Sequence, residues 1–109
     1  MKQSLGEFEE IVLLLVAAQH EQAYGLSITK VIKDELGRAV TMSSVHTALY
    51  RLEEKGFVQS NVGGATAERG GRRKRIFTIT SAGKSALLRA KEARTQLWSM
   101  IPKYLLEVS

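Results

Sequence analysis

Arg69, Arg72, Arg73, Lys74 and Arg75 gather five cations into the stretch Gly63 to Thr80, GGATAERGGRRKRIFTIT, together with four glycines. Guanidinium groups present planar donor forks that match phosphate oxygens or a narrow groove, and glycine supplies the positive φ angles of a tight loop. The stretch is expected to form the tip and returning arm of a hairpin that contacts nucleic acid. The plainer alternative is a solvated basic loop that keeps the chain soluble. A second set of side chains lies upstream: Ser43, Ser44, His46, Thr47, Tyr50 and Arg51 carry hydrogen-bonding groups of moderate reach. On one exposed helix face such groups can read base edges. Catalytic chemistry is not expected. His20 and His46 are the only histidines and have no nucleophile or ligand spacing around them, and the adjacent pairs Glu9-Glu10 and Glu53-Glu54 diverge on a helix. The chain has no cysteine, which excludes disulfides and thiolate metal sites. No cofactor and no metal are expected.

The charge distribution supports a polyanion partner. The 109 residues carry a formal net charge of +5, but Met1 to Phe57 is net −2 and Val58 to Ser109 is net +7. An excess confined to one half fits a local electrostatic footprint better than general solubility. The longest apolar run, Ile11 to Ala18, is far shorter than the roughly 20 residues a membrane span takes. Glu7, Glu9 and Glu10 stand before it, where a secretory signal would carry positive charge. A cytoplasmic protein without a membrane segment is expected.

The elements that must position these groups follow from periodicity and punctuation. Ser4-Leu5-Gly6-Glu7 has the form of a capping box, and Leu5, Phe8, Ile11, Val12, Leu15 and Val16 give a first core-facing helix ending near His20. Ala23-Tyr24-Gly25 reads as a turn. Ser27 is expected to cap a second helix with Ile28, Val31, Ile32 and Leu36 inward, and Gly37 to stop it. After an extended link from Arg38 to Met42, Ser43 or Ser44 caps a third helix that runs to Lys55 and ends at Gly56. Its Val45, Ala48, Leu49 and Leu52 fall at i, i+3, i+4 and i+7 and belong to the core, which leaves Ser43, Thr47, Tyr50 and Glu54 on the opposite face. Phe57 to Val62 and Lys74 to Thr80 are the hairpin arms. Three helices and a basic hairpin in this order predict a winged helix-turn-helix, with the third helix in the major groove and the wing along the backbone or the adjacent minor groove.

From Thr80 or Ser81 the pattern turns helical again. Ala86, Ala90, Ala93, Leu97, Met100 and Tyr104 follow alternating steps of four and three, and Leu87, Trp98, Ile101 and Leu105 lie beside them. So much apolar surface on one terminal helix predicts packing against a second copy, with Pro102 kinking or breaking the helix. The alternative is a helix docked wholly on its own domain.

Ala23-Tyr24-Gly25-Leu26, then ALYRLEEKGFV from Ala48 to Val58, Gly70-Gly71-Arg72-Arg73-Lys74, and FTITSAGK from Phe77 to Lys84 together resemble the PadR-like family of transcriptional regulators. The resemblance covers almost the whole chain in the correct order. It implies a bacterial repressor that binds its operator as a homodimer and is commonly released by a small effector. One departure stands at Val45-His46-Thr47-Ala48-Leu49, where the family pattern usually has Leu-Tyr-Pro-Ala-Leu, so His46 replaces a tyrosine. Some short relatives look like sensors of aromatic compounds at the dimer interface, which makes Trp98 the candidate for stacking on a flat effector, with plain packing at the interface as the alternative role of its indole.

The expectation is a mainly α chain with a small β-hairpin: a winged helix-turn-helix over residues 1–80 and a dimerisation helix over 81–109. The partners expected are double-stranded DNA, a second copy through Ala86, Ala90, Ala93, Leu97, Met100, Ile101 and Tyr104, and a small aromatic effector at Trp98. A winged-helix module that binds another protein is the competing reading.

Overall fold

The computed structural model describes residues 4–63 and 74–107. Within them the order is α1 (Glu7–Ala18), α2 (Gly25–Leu36), α3 (Met42–Glu54), β1 (Val58–Gly63), β2 (Lys74–Ile79), α4 (Ser81–Ser99) and α5 (Lys103–Leu106). The expected mainly helical architecture with one antiparallel hairpin is what the chain forms.

Three helices start at residues other than those expected, and each time a local hydrogen bond decides. Glu9 accepts the Gly6 N–H at 3.0 Å, so Gly6 and not Ser4 caps α1. Ser27 lies inside α2, where its Oγ accepts the Tyr24 N–H at 2.9 Å, and the helix therefore opens two residues before it. Thr41, not Ser43 or Ser44, caps α3: its Oγ1 accepts the Ser44 N–H at 3.0 Å. The stops agree with expectation, since Gly37 and Gly56 adopt left-handed φ angles of 60° and 81°. Leu36, expected inward, is 54% exposed on the last turn of α2.

The core takes Val12, Leu13 and Val16 from α1, Ile28 and Ile32 from α2, and Val45, Ala48, Leu49 and Leu52 from α3. Phe57, Val58 and Phe77 close it from the hairpin side. Burying each large aliphatic or aromatic side chain contributes about 1.5–3 kcal/mol, so the helical stripes fix which face of α3 is left to solvent.

In the hairpin Val58 pairs with Ile79, Ser60 with Phe77 and Val62 with Arg75. These six share one face, and Phe77 turns that face toward the core. The Phe77 N–H also donates to the Ala23 carbonyl at 2.9 Å, forming an isolated antiparallel bridge. Ala23-Tyr24-Gly25 is thus more than the expected turn, because it ties the start of α2 to the wing.

Thr80 caps α4, accepting the Gly83 N–H at 3.1 Å while donating to the Gly56 carbonyl at 2.6 Å. Ala86, expected in a seam against a second copy, is buried in the chain's own core. Residues 91–99 of the helix and Met100 at its C-cap are all exposed. Arg94 reaches back to Glu10 on α1 through two hydrogen bonds of 3.1 and 2.8 Å. The helix ends at Ser99 and Pro102 opens α5, so Tyr104 does not continue the stripe on the same helix as Ala90, Ala93 and Leu97. Among the described residues, no helix is long and apolar enough to cross a membrane, and no group of three or more His, Cys, Asp or Glu could hold a metal ion.

Candidate nucleic-acid interface

Helix α3 is held from behind. Lys55, at its C-terminal cap, donates to Glu9 of α1 at 2.6 Å and to the Ser4 carbonyl at 2.6 Å. Burial works against charge on Glu9, but the Gly6 N–H and the Lys55 ammonium outweigh it and hold the carboxyl below its ordinary pKa. With Val45, Ala48, Leu49 and Leu52 buried, the outward face presents Ser43, Thr47, Tyr50, Arg51 and Glu54, all exposed.

The outward residues do not offer equal chemistry. The Thr47 hydroxyl donates to the Ser43 carbonyl at 3.0 Å, which leaves its acceptor lone pairs and its methyl facing out. The Ser44 hydroxyl donates to the Thr41 carbonyl at 2.9 Å and accepts the Thr41 N–H at 3.3 Å, so the cap engages it first. Tyr50 is 49% exposed and stands edge-on to Phe77, with ring centroids 6.4 Å apart. His46 is half-buried and differs from its neighbours. Its Nε2 lies where a Cβ on Gly25 would approach to 2.5 Å, so the imidazole packs on the first turn of α2 instead of standing out beside Thr47.

Of the basic residues expected in the wing, Lys74 and Arg75 are described and exposed, whereas Arg69, Arg72 and Arg73 lie outside the described residues. Arg75 Nη1 donates to Ser60 Oγ at 3.0 Å, and Ser60 Oγ donates to Glu53 on α3 at 2.7 Å. Lys74 Nζ sits 4.4 Å from the centroid of the Tyr24 ring, a cation–π contact between the base of the wing and the start of α2. Sequence reasoning missed Tyr24, Glu53 and Ser60 as wing partners. The alternation of β1 put Ser60 on the Val58 face, but the pairing register that brings it beside Arg75 is a tertiary fact.

The arrangement is an exposed polar helix face joined through Ser60 to the basic start of β2 and backed by a closed apolar core. Such a surface suits a groove of double-stranded DNA, where phosphates meet the cations and base edges meet the helix.

Residues 12–89 match the transcriptional regulator PadR-like family. Among solved structures, the fold is similar to a PadR-like transcriptional regulator from Bacillus cereus, with TM-score 0.73 and 17% identity over 94% of this chain and 93% of that one. It is similar to a transcriptional regulator from Clostridium thermocellum, with TM-score 0.68 and 23% identity over 88% and 87% of the two chains. A third likeness is to Bacillus subtilis PadR in complex with operator DNA, with TM-score 0.62 and 22% identity over 87% of this chain and 48% of that one. Comparison with curated proteins found no match. At these identities the likeness to solved structures carries the winged-helix fold.

Proposed function

From a chain that belongs to the transcriptional regulator PadR-like family, we infer a homodimeric repressor that binds an operator through helix 43–55 and the basic wing 63–75. The observation that carries this reading is the exposed polar face of α3, on a helix whose other face is wholly buried and whose Glu53 is joined through Ser60 of β1 to the cation Arg75 of β2. The known complex of a similar fold with operator DNA supports it. Ser43, Thr47, Tyr50 and Arg51 are the proposed groove contacts, with Ser44 acting through the cap and His46 through its packing on α2. Arg69, Arg72, Arg73, Lys74 and Arg75 are the proposed phosphate or minor-groove contacts. The DNA-binding unit is residues 1–80, and the protein works in the cytoplasm with the DNA it binds.

Dimerisation is assigned to residues 81–109. Leu97, Trp98 and Leu105 are each 62% exposed, and Met100 and Tyr104 slightly more. An apolar set this large on a protruding helix supports a partner copy that covers it. An open groove of about 900 Å³ between the end of α1, the outer face of the hairpin and the start of α4 adds Ile76, Leu87 and Leu88 to the apolar surface. The seam proposed for the partner is Ala90, Ala93, Leu97, Met100, Ile101 and Tyr104, without Ala86. A two-fold axis near Trp98 would bring two indoles together, and a flat aromatic effector stacked between them would release DNA by favouring another spacing of the two reading helices.

The test is fluorescence anisotropy with a labelled duplex from immediately upstream of the coding region and a scrambled duplex, across a salt series. Tight binding that prefers the upstream duplex and falls steeply with salt is the expected result. Absence of binding even at low salt would contradict it and favour the protein-interaction reading.

A further inference from the structure

We propose that Ser60 is a positioning residue that joins the wing to the reading helix, and that Arg75 meets DNA phosphate in the orientation Ser60 imposes. The proposal rests on the DNA-binding reading above. Its basis is a relay with a fixed direction. Arg75 Nη1 donates to Ser60 Oγ at 3.0 Å, and Ser60 Oγ donates to Glu53 Oε2 at 2.7 Å. A guanidinium can only donate and an ionised carboxylate can only accept, so the single hydroxyl proton of Ser60 has one place to go.

The three residues sit on three different elements: Glu53 on the last turn of α3, Ser60 in β1 and Arg75 in β2. Glu53 and Ser60 are half-buried while Arg75 is exposed. Exposure and burial therefore run in order along the relay, from the helix that would read bases to the cation that would meet phosphate. The strand register puts Ser60 opposite Phe77 and Val62 opposite Arg75, which places Ser60 and Arg75 on the hairpin face that turns toward the core. A long cation on an exposed strand samples many rotamers, and ordering it at the moment of binding opposes affinity. The relay orders Arg75 beforehand and uses only part of its donor fork, leaving other N–H groups for a phosphate oxygen. It also gives the Glu53 carboxylate a donor, which limits its repulsion of the DNA backbone. Neither an apolar residue at position 60 nor a carboxylate there would pass the direction on.

The experiment measures binding of a labelled mixed-sequence duplex by anisotropy across a salt series, for wild type, Ser60→Ala, Ser60→Thr, Arg75→Ala and the double variant Ser60→Ala/Arg75→Ala. Losing one hydrogen bond is expected to weaken Ser60→Ala about 3- to 10-fold, while Ser60→Thr, which keeps the hydroxyl in a strand-compatible side chain, stays within about 2-fold of wild type. Arg75→Ala should lower the salt slope by about one, and the double variant should bind no more weakly than Arg75→Ala alone. A Ser60→Ala protein that binds like wild type, or whose loss persists in full without Arg75, would overturn the proposal while leaving DNA binding intact. Absence of wild-type binding to any duplex would overturn the DNA-binding reading and this proposal together.

Discussion

At position 47 the hydroxyl proton is already committed to the Ser43 carbonyl, so in the proposed groove contact Thr47 would offer an acceptor and a methyl group. That chemistry suits an exocyclic amine of adenine or cytosine, or a thymine methyl. Thr47→Ala is expected to reduce discrimination between preferred and scrambled duplexes by about 1–3 kcal/mol with the helical circular dichroism unchanged. The polar face was legible from residue spacing alone, because Val45, Ala48, Leu49 and Leu52 leave only one face for Thr47, Tyr50 and Arg51. What spacing could not reveal is that Ser44 is engaged by Thr41 and that the His46 ring lies on Gly25. Those facts depend on where the helix starts and on another helix's backbone. Glu9 supports a prediction of a different kind. Its carboxyl is held below its ordinary pKa by the Gly6 N–H and Lys55 against the effect of burial, so its stabilisation is complete above the ordinary carboxylate value and is lost as pH falls through the lowered native one. Denaturant midpoints recorded down through the acid range should therefore fall less in Glu9→Gln than in wild type.

The helices were legible as elements because each carries an apolar stripe of the right period, and their ends were legible where glycine adopts a left-handed φ. Their starts were less so. Ser4, Ser27 and Ser43 all have cap chemistry, and the choice went to Gly6, Tyr24 and Thr41 through hydrogen bonds only three residues long in sequence. Helix α4 shows how one backbone contact fixes an element's angle. A Cβ on Gly83 would collide with the Phe57 carbonyl oxygen and approach Ile79 Cγ1 to 2.8 Å. Gly83→Ala is expected to lower stability by about 1–3 kcal/mol, since rigid backbone has to move; thermal unfolding measures it. Beyond Ala90, the pair Arg94–Glu10 links α4 to α1 through a bidentate contact. Double-mutant cycles at this partly exposed pair should give a coupling of no more than about 1 kcal/mol, so the pair orients the helix more than it stabilises the fold.

Across the whole molecule, the proposed function divides the labour between DNA, met by the wing-side charge excess, and a second copy, met by the apolar terminal helix. The basic half was legible from composition, and the heptad-like spacing suggested the seam. The reassignment of Ala86 was not legible, because the same alanine satisfies a heptad and a domain core equally well. Leu97→Glu is expected to shift the protein to monomers in sedimentation velocity and to weaken binding to a two-half-site duplex by about 100-fold, through loss of the bivalent advantage. Native-like circular dichroism in that variant would assign the loss to assembly.

The central claim, that α3 reads sequence while the wing supplies sequence-independent affinity, is tested most directly by one ratio. Binding to the tightest duplex selected from a random-sequence pool is measured against a scrambled duplex for wild type, Arg51→Ala and Arg73→Ala. Arg51→Ala is predicted to collapse the preference, and Arg73→Ala to weaken both duplexes alike while lowering the salt slope by about one. A preference that survives Arg51→Ala but is lost in Arg73→Ala would contradict the account.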